Sequence, residues 1–233
     1  MSTHLHISPT ADGPFPFVPP LESGDCLSRD EFERRYEAMP ELKKAELIEG
    51  VVYVGAPVSF AHGEADTKLS LVFATYAAQT PGVQCAGNSS VLLDLRNEFQ
   101  PDILLRIANS GRSTLTSGEK PFLQGAPELV AEVALTSAGR DLHSKLEVYR
   151  RQGVHEYIVW RVLERAIDWF CLEQGQYIRQ QPDDRGLLRS REFPGLWLDG
   201  AALLEGRMTS VLERLQQGID SPEHAAFVER LAH

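Results

Sequence analysis

The chain has 233 residues, 42% of them hydrophobic, and carries 33 acidic against 23 basic residues for a net charge of −10. That length and apolar content suffice for a domain with its own core, and the acidic balance excludes loose, charge-driven adhesion to nucleic acid, so any such contact needs a local patch. Cys26, Cys85 and Cys171 are odd in number and lack CxxC spacing, which excludes a disulfide framework or a zinc knuckle.

Pro14, Pro16, Pro19 and Pro20 block regular structure in residues 1–27, which predicts a flexible arm without the basic and apolar regions of a leader peptide. Nothing later approaches the roughly 20 apolar residues of a membrane span. The expectation is a protein of the reducing cytoplasm, without a membrane partner. Ser28 and Glu31 form a capping box that opens a helix bearing Phe32 and Tyr36, and Pro40 stops it.

The β-branched run Val51 to Val54 reads as a strand within 46–55, and residues 57–63 lead into a helix over about 63–79 with Leu69, Val72, Phe73 and Tyr76 at helical spacing. Short strands at 83–86, 90–95 and 101–107, separated by turns, predict a meander. The polar stretch 108–126 reads as a loop before a strand at 128–135. A helix over 139–152 closes on Gly153. Strands at 155–161, 166–172 and 176–180 follow, the last two joined by a Glu173-Gln174-Gly175 turn, and the tail from Leu203 is helical with a break near 218–222. This order predicts an α/β (α+β) domain, a central mixed sheet flanked by helices over 28–205, with a helical appendage at 206–233.

Three polar residues stand inside apolar runs. In 128–135 both strand faces are apolar except at Glu132, which predicts a central strand covered on both sides with one buried carboxylate. Asp102 sits just inside the start of 101–107, on the face of Leu104 and Arg106. In the next helix Leu142, Lys145, Leu146 and Tyr149 form one stripe, so a lysine occupies a position that packing would give to leucine. Buried carboxylates and an ammonium are costly unless they bind each other or a cation, so a metal site, a structural ion-pair cluster and a snorkelling lysine all stay open at this point.

A carboxylate after proline, then an acidic residue in an apolar strand, then a lysine resembles the PD-(D/E)XK nuclease superfamily, and more closely the Uma-type family of restriction endonucleases. The matching segments are Glu46 to Gly50, Pro57 to His62, Pro101-Asp102-Ile103, Pro127 to Val133, Asp141 to Lys145 with Tyr149, Gly153 to Tyr157, and Pro194 to Trp197, which span residues 28–205 in order. Two departures stand out. Ala134 occupies the superfamily's usual lysine position, so the resemblance implies a lysine relocated to Lys145, and Leu135-Thr136-Ser137 replaces the family's Leu-Ser-Pro run.

The resemblance implies a restriction-endonuclease-like fold and hydrolysis of DNA phosphodiester bonds. Asp102, Glu132 and the Val133 carbonyl would ligate Mg²⁺ or Mn²⁺, while Lys145 orients or deprotonates the attacking water. Glu46 matches an upstream glutamate of the family, with Glu49 as an alternative, and parity along 46–54 groups Glu46 with Ile48, Val52 and Val54. His62 and Asp141 are supporting residues, Asp141 as an i, i+4 partner of Lys145. Arg34 with Arg35, and Arg185, Arg189 and Arg191, are the basic groups that might meet phosphate, although solvated faces explain them as well. A homodimer through exposed C-terminal helices fits symmetric cleavage. The competing expectation is an inactive nuclease-fold protein that binds nucleic acid or protein, which the acidic charge and Ala134 favour.

Overall fold

The computed structural model describes residues 18–135 and 137–232, and residues 1–17 of the expected arm lie outside them. Ser28 caps α1 (Arg29–Glu37), its side chain accepting from the Glu31 amide, and Phe32 buries the inner face. Only half of the capping box forms, because the Glu31 carboxylate accepts from Arg34 and Arg35 instead. Residues 18–27 do not stand apart: Leu21 is buried, and the Gly24 and Leu27 amides donate to the carbonyls of Val52 and Gly50.

The strand expected at 46–55 is a hairpin of β1 (Ala45–Ile48) and β2 (Val51–Val54), turned by Glu49 and Gly50 at φ of 53° and 82°. Positive φ at both central residues is the turn that matches strand twist, and a glycine at the second eases it. α2 (Phe60–Ala78) starts ahead of the expected residue 63 because Ser59 caps it, accepting from the His62 amide.

The expected meander is split between two sheets. β3 (Val83–Gly87) pairs antiparallel with β6 (Ile103–Ile107), and the hairpin of β4 (Val91–Asp94) and β5 (Asn97–Phe99) swings out to join β1. Asn88, at φ 52°, donates its amide to the Pro101 and Asp102 carbonyls and closes the base of this excursion. The predicted loop 108–126 holds β7 (Ser113–Leu115) and β8 (Leu123–Gly125), strands too short for a period to show, and β8 exists by pairing with β4.

β9 (Leu129–Ala134) is buried at every residue and lies between β6 and β10 (Glu156–Arg161), antiparallel to the first and parallel to the second. β11 (Ala166–Glu173) and β12 (Gln176–Arg179) extend this sheet, giving the order β12-β11-β10-β9-β6-β3. The second sheet runs β2-β1-β5-β4-β8-β7, and β13 (Leu187–Arg189) pairs with β14 (Trp197–Asp199). Between β9 and β10 the chain is helical through α3 (Ala138–Arg140), a π turn over Asp141–Lys145 and α4 (Leu146–Gln152), ending on Gly153 at φ 79°. The expected single helix therefore carries one widened turn.

Leu129, Ala131 and Val133 face a core shared with Leu69, Val72 and Phe73 of α2, whereas Val130 and Ala134 face Val148 and Tyr149 of α4 and Phe99 of β5. Burying each such leucine, valine or phenylalanine contributes roughly 1.5–3 kcal/mol. After α5 (Gly200–Leu204), α6 (Met208–Ile219) and α7 (Pro222–Leu231) bury Val211, Leu215, Ile219 and Phe227 in the α2 side of that core. Thr80 and His224 are joined by a 2.9 Å hydrogen bond across the same seam. These helices thus pack their apolar residues into the core instead of standing apart as an appendage. No helix among the described residues is long and apolar enough to cross a membrane.

Candidate active site

Asp102 and Glu132 meet because of sheet register. Ile103 pairs with Ala131 and Leu104 with Val130, so one further step sets Asp102 opposite Glu132 on the α4 face of the sheet. Pro101 has no N–H to continue the ladder, and the Asp102 carboxylate takes over there: its Oδ2 accepts from the Val133 amide at 2.8 Å. The N–H and C=O of one strand residue point the same way, so the Val133 carbonyl also faces the Asp102 side.

Lys145, at the end of the π turn, is 1% exposed and donates to Glu132 Oε1 and Glu46 Oε1, each at 2.8 Å. Its ammonium also lies 5.5 Å from the centre of the Phe99 ring. One turn on, the Tyr149 hydroxyl donates to Glu132 Oε1 at 3.2 Å. Asp141 stands 4.0 Å from Lys145, and its carboxylate accepts from the Ser137 hydroxyl. The inward lysine stripe is therefore real, and Asp141 is its more distant partner.

Glu46 lies opposite Tyr53 in the hairpin, and Ile48 opposite Val51. Its face is thus shared with Ile48, Val51 and Tyr53, while Val52 and Val54 turn to the other side with Ala45 and Leu47, because the chain reverses at Gly50. Glu46 Oε1 also accepts from the Gln100 amide at 2.9 Å. The alternative, Glu49, sits in the turn and pairs with Arg151 at the surface.

Lys44 was not foreseen. Its ammonium donates to Asp102 Oδ1 at 3.0 Å, and His62 Nε2 lies 3.8 Å from the same oxygen. The signal was available: two residues before Glu46 on an extended chain, Lys44 shares the face of Glu46. Arg140 also lines the cavity, its guanidinium 5.2 Å over the Tyr53 ring. By contrast, Arg34 and Arg35 pair with Glu31, Arg189 with Asp183 and Arg191 with Glu173, all at the surface.

These side chains line one cavity of about 450 Å³, floored by Glu46, Asp102, Glu132 and Lys145 and walled by Val58, Ser59 and His62. Burial pushes the Glu132 carboxyl up to about 8, with Asp102, Glu46 and Asp141 adding to the rise and Lys145 opposing it. Burial also raises Asp141. Burial alone would raise Glu46, but Lys145, Lys44 and the Gln100 amide together hold it below the usual carboxylate range. Burial would deprotonate Lys145 and Lys44, yet the surrounding carboxylates outweigh it and raise both, so each stays an ammonium.

Four carboxyl groups, Glu46, Asp102, Glu132 and Asp141, thus face two ammonium groups, so they outnumber the cations available to pair with them. Among the described residues no three Asp, Glu, His or Cys side chains already converge as a metal cage. The donor chemistry nevertheless fits a hard cation held by one or two carboxylates together with water and substrate oxygens. Glu132 engages both Lys145 and Tyr149 through Oε1, which leaves Oε2 for another ligand.

A mixed sheet covered by helices, with two carboxylates and a lysine converging at the mouth of its central strands, defines a restriction-endonuclease-like nuclease fold. The chain belongs to the Uma2 family, described as "Putative restriction endonuclease", whose sequence profile matches residues 29–201. A search of curated proteins gave no match. Among solved structures, the chain is similar to a crystal structure from Anabaena variabilis described as a putative nuclease belonging to DUF820. That similarity has a TM-score of 0.56 and 13% identity over 81% of this chain and 99% of the other. At that identity the likeness speaks for the fold.

Proposed function

We propose that the protein is a metal-dependent endonuclease that hydrolyses DNA phosphodiester bonds in the cavity floored by Asp102, Glu132 and Lys145. The observation that carries this reading is the surplus of buried carboxylate around a lysine that packing alone would have made a leucine. A family of nucleases supplies the reaction class.

Asp102, Glu132 and the Val133 carbonyl are the residues that would hold Mg²⁺ or Mn²⁺. When bound, such an ion lowers the pKa of a coordinated water and neutralises charge on the scissile phosphate and leaving oxygen. Lys145 works as a fixed positive charge rather than as a base, since its proton is held by Glu132 and Glu46. It orients the Glu132 carboxylate and presents charge toward an incoming phosphate. Glu46 fixes Lys145 from the other side, and Tyr149 fixes Glu132. Lys44 and His62 flank Asp102 at the mouth of the cavity, where the Lys44 ammonium would neutralise a DNA backbone despite the acidic chain as a whole. The free thiols of Cys26, Cys85 and Cys171 suit a reducing cytoplasm.

The test is cleavage of supercoiled plasmid in Mg²⁺ or Mn²⁺ by the wild type, Glu132→Gln and Lys145→Met. Metal-dependent nicking by the wild type that both folded variants lose supports the reading. Nicking that persists unchanged in both assigns it to a contaminant, and its absence from all three leaves a nuclease fold used for binding.

A further inference from the structure

Three lysine and arginine side chains line the catalytic cavity, and two are already engaged, Lys44 by Asp102 and Lys145 by Glu46 and Glu132. Arg140 is the third. Among the described residues it joins no ion pair and its guanidinium donates no hydrogen bond, although its Nε is closed to solvent. By contrast, Arg150, Arg161, Arg189, Arg191 and Arg207 each hold a carboxylate close by. A half-buried guanidinium with unmade hydrogen bonds is costly unless its open end meets water or an anion.

Two features of the fold hold Arg140 in this state. Its guanidinium lies 5.2 Å over the Tyr53 ring of β2, a contact made through the flat face that leaves the in-plane N–H groups unused. The carboxylate next to it in the chain, Asp141, turns instead to the Ser137 hydroxyl and toward Lys145. The second feature is the π turn. In an α-helix, positions five apart stand roughly 140° apart around the axis, so Arg140 and Lys145 would face different sides. A π turn closes with i→i+5 hydrogen bonds, which brings such positions near one side. Arg140 caps the π turn and Lys145 ends it, and both side chains line the cavity.

We propose that Arg140 grips the DNA backbone in the cavity, its guanidinium fork donating to the two non-bridging oxygens of one phosphodiester. The choice of a phosphodiester rests on the nuclease reading; the uncommitted fork rests on the geometry alone. A planar pair of donors matches two oxygens on one phosphorus, which a single ammonium does not. The phosphate is then held from the Tyr53 wall as well as from the floor, and the guanidinium neutralises charge on those oxygens as the bond to the leaving oxygen breaks.

Fluorescence anisotropy of a labelled DNA duplex with the full chain, in chelator so that no cleavage intervenes, tests the contact. Arg140→Met binds about tenfold more weakly than wild type, and its plot of log affinity against log salt flattens by about one. Arg140→Lys keeps the wild-type slope but recovers only part of the affinity, since the charge returns without the fork. Tyr53→Leu, which removes the shelf and no charge, weakens binding and leaves the slope unchanged. Circular dichroism confirms folding, and Arg140→Lys decides if Arg140→Met fails to fold. Wild-type affinity in either folded variant, or no saturable binding by the folded wild type, overturns the proposal. Metal-dependent nicking of plasmid by the wild type separates the two readings: if it occurs while Arg140→Met binds and nicks as wild type does, the nuclease reading stands and the grip falls. If binding depends on Arg140 and no nicking occurs, the grip stands and the nuclease reading falls.

Discussion

The Lys145 ammonium and the Glu132 carboxylate lie 2.8 Å apart across 13 positions of the chain, each all but closed to solvent. The contact exists because a central strand and the helix that returns over it place one polar residue each at the same point of an apolar interface. Glu46 closes on the same ammonium from the second sheet. The two sheets are therefore joined at the candidate site by charge as well as by packing.

Removing the cation alone should be more damaging than removing cation and anion together. Lys145→Met leaves Glu46 and Glu132 buried without their shared partner, and a cost of about 3–5 kcal/mol is expected for breaking such a pair. The double variant Lys145→Met with Glu132→Gln should recover part of it. Chemical denaturation of the two single variants and the double variant measures the coupling; strictly additive losses would show that the contact is not energetically real.

Glu132→Gln keeps the side chain's shape and its Tyr149 contact but gives up the carboxylate that a bound cation would engage. Its metal-dependent cleavage should fall on the order of a hundredfold or more, as when a preorganised group at developing charge is removed, with circular dichroism unchanged. A gel assay of plasmid nicking reads the rate, and wild-type activity in this variant would take Glu132 out of the chemistry.

Metal binding should appear as stabilisation. At a hundredfold excess over its dissociation constant, Mg²⁺ or Mn²⁺ should raise the thermal midpoint by about 5–10 °C, and chelator should reverse it. Asp102→Asn should shrink this shift. Lys44→Met, which frees Asp102 Oδ1 from its 3.0 Å ion pair, should enlarge it at subsaturating metal. An unchanged midpoint in the wild type would mean that no metal binds the folded chain in preference to the unfolded one.

The pH dependence of metal-free stability has a definite sign. A carboxyl raised from 4.5 to about 8, as Glu132 is, binds a proton in the folded state where the unfolded chain has lost it, so stability falls as pH rises from about 4.5 to 8. Glu46, held low, acts oppositely: its contribution is present above its ordinary range and is lost as pH falls through the lowered folded value. Glu98 and Glu156, both raised to about 7, slope the same way as Glu132. The informative quantity is therefore the difference between wild type and Glu132→Gln. Thermal melts in chelator from pH 5 to 8 should show a steeper decline in the wild type, and parallel curves would assign the slope to the other groups.

Local signals made much of the site legible. Glu132 stood out because its neighbours on both faces were apolar, and Lys145 because it interrupted a helical stripe; both side chains are buried and in contact. Lys44 shares the face of Glu46 by strand parity, but a single lysine ahead of a short strand looks like a solvated charge. The face of Glu46 differs from the one parity predicts because parity holds only while the chain runs straight, and the turn at Glu49 and Gly50 sends Val52 and Val54 to the other face. The strands β7 and β8, three residues each, carry no period of their own and form only because β4 offers an edge.

What the sequence by itself determined about this protein was which residues are anomalous, because an apolar period and a charge that breaks it are both properties of neighbouring positions along the chain. Only the tertiary structure decided what the anomalies do to one another. The β6–β9 register set Asp102 opposite Glu132, and the excursion of β4 and β5 into the second sheet carried Phe99 and the Gln100 amide to the Lys145–Glu46 contact. The helix over β9 brought an ammonium within hydrogen-bond reach of two carboxylates. Whether a buried charge is paired, and hence whether it is held ionised or pushed toward neutrality, depends on distances of a few ångströms in a medium that screens poorly, and those distances are set by elements far apart in the chain.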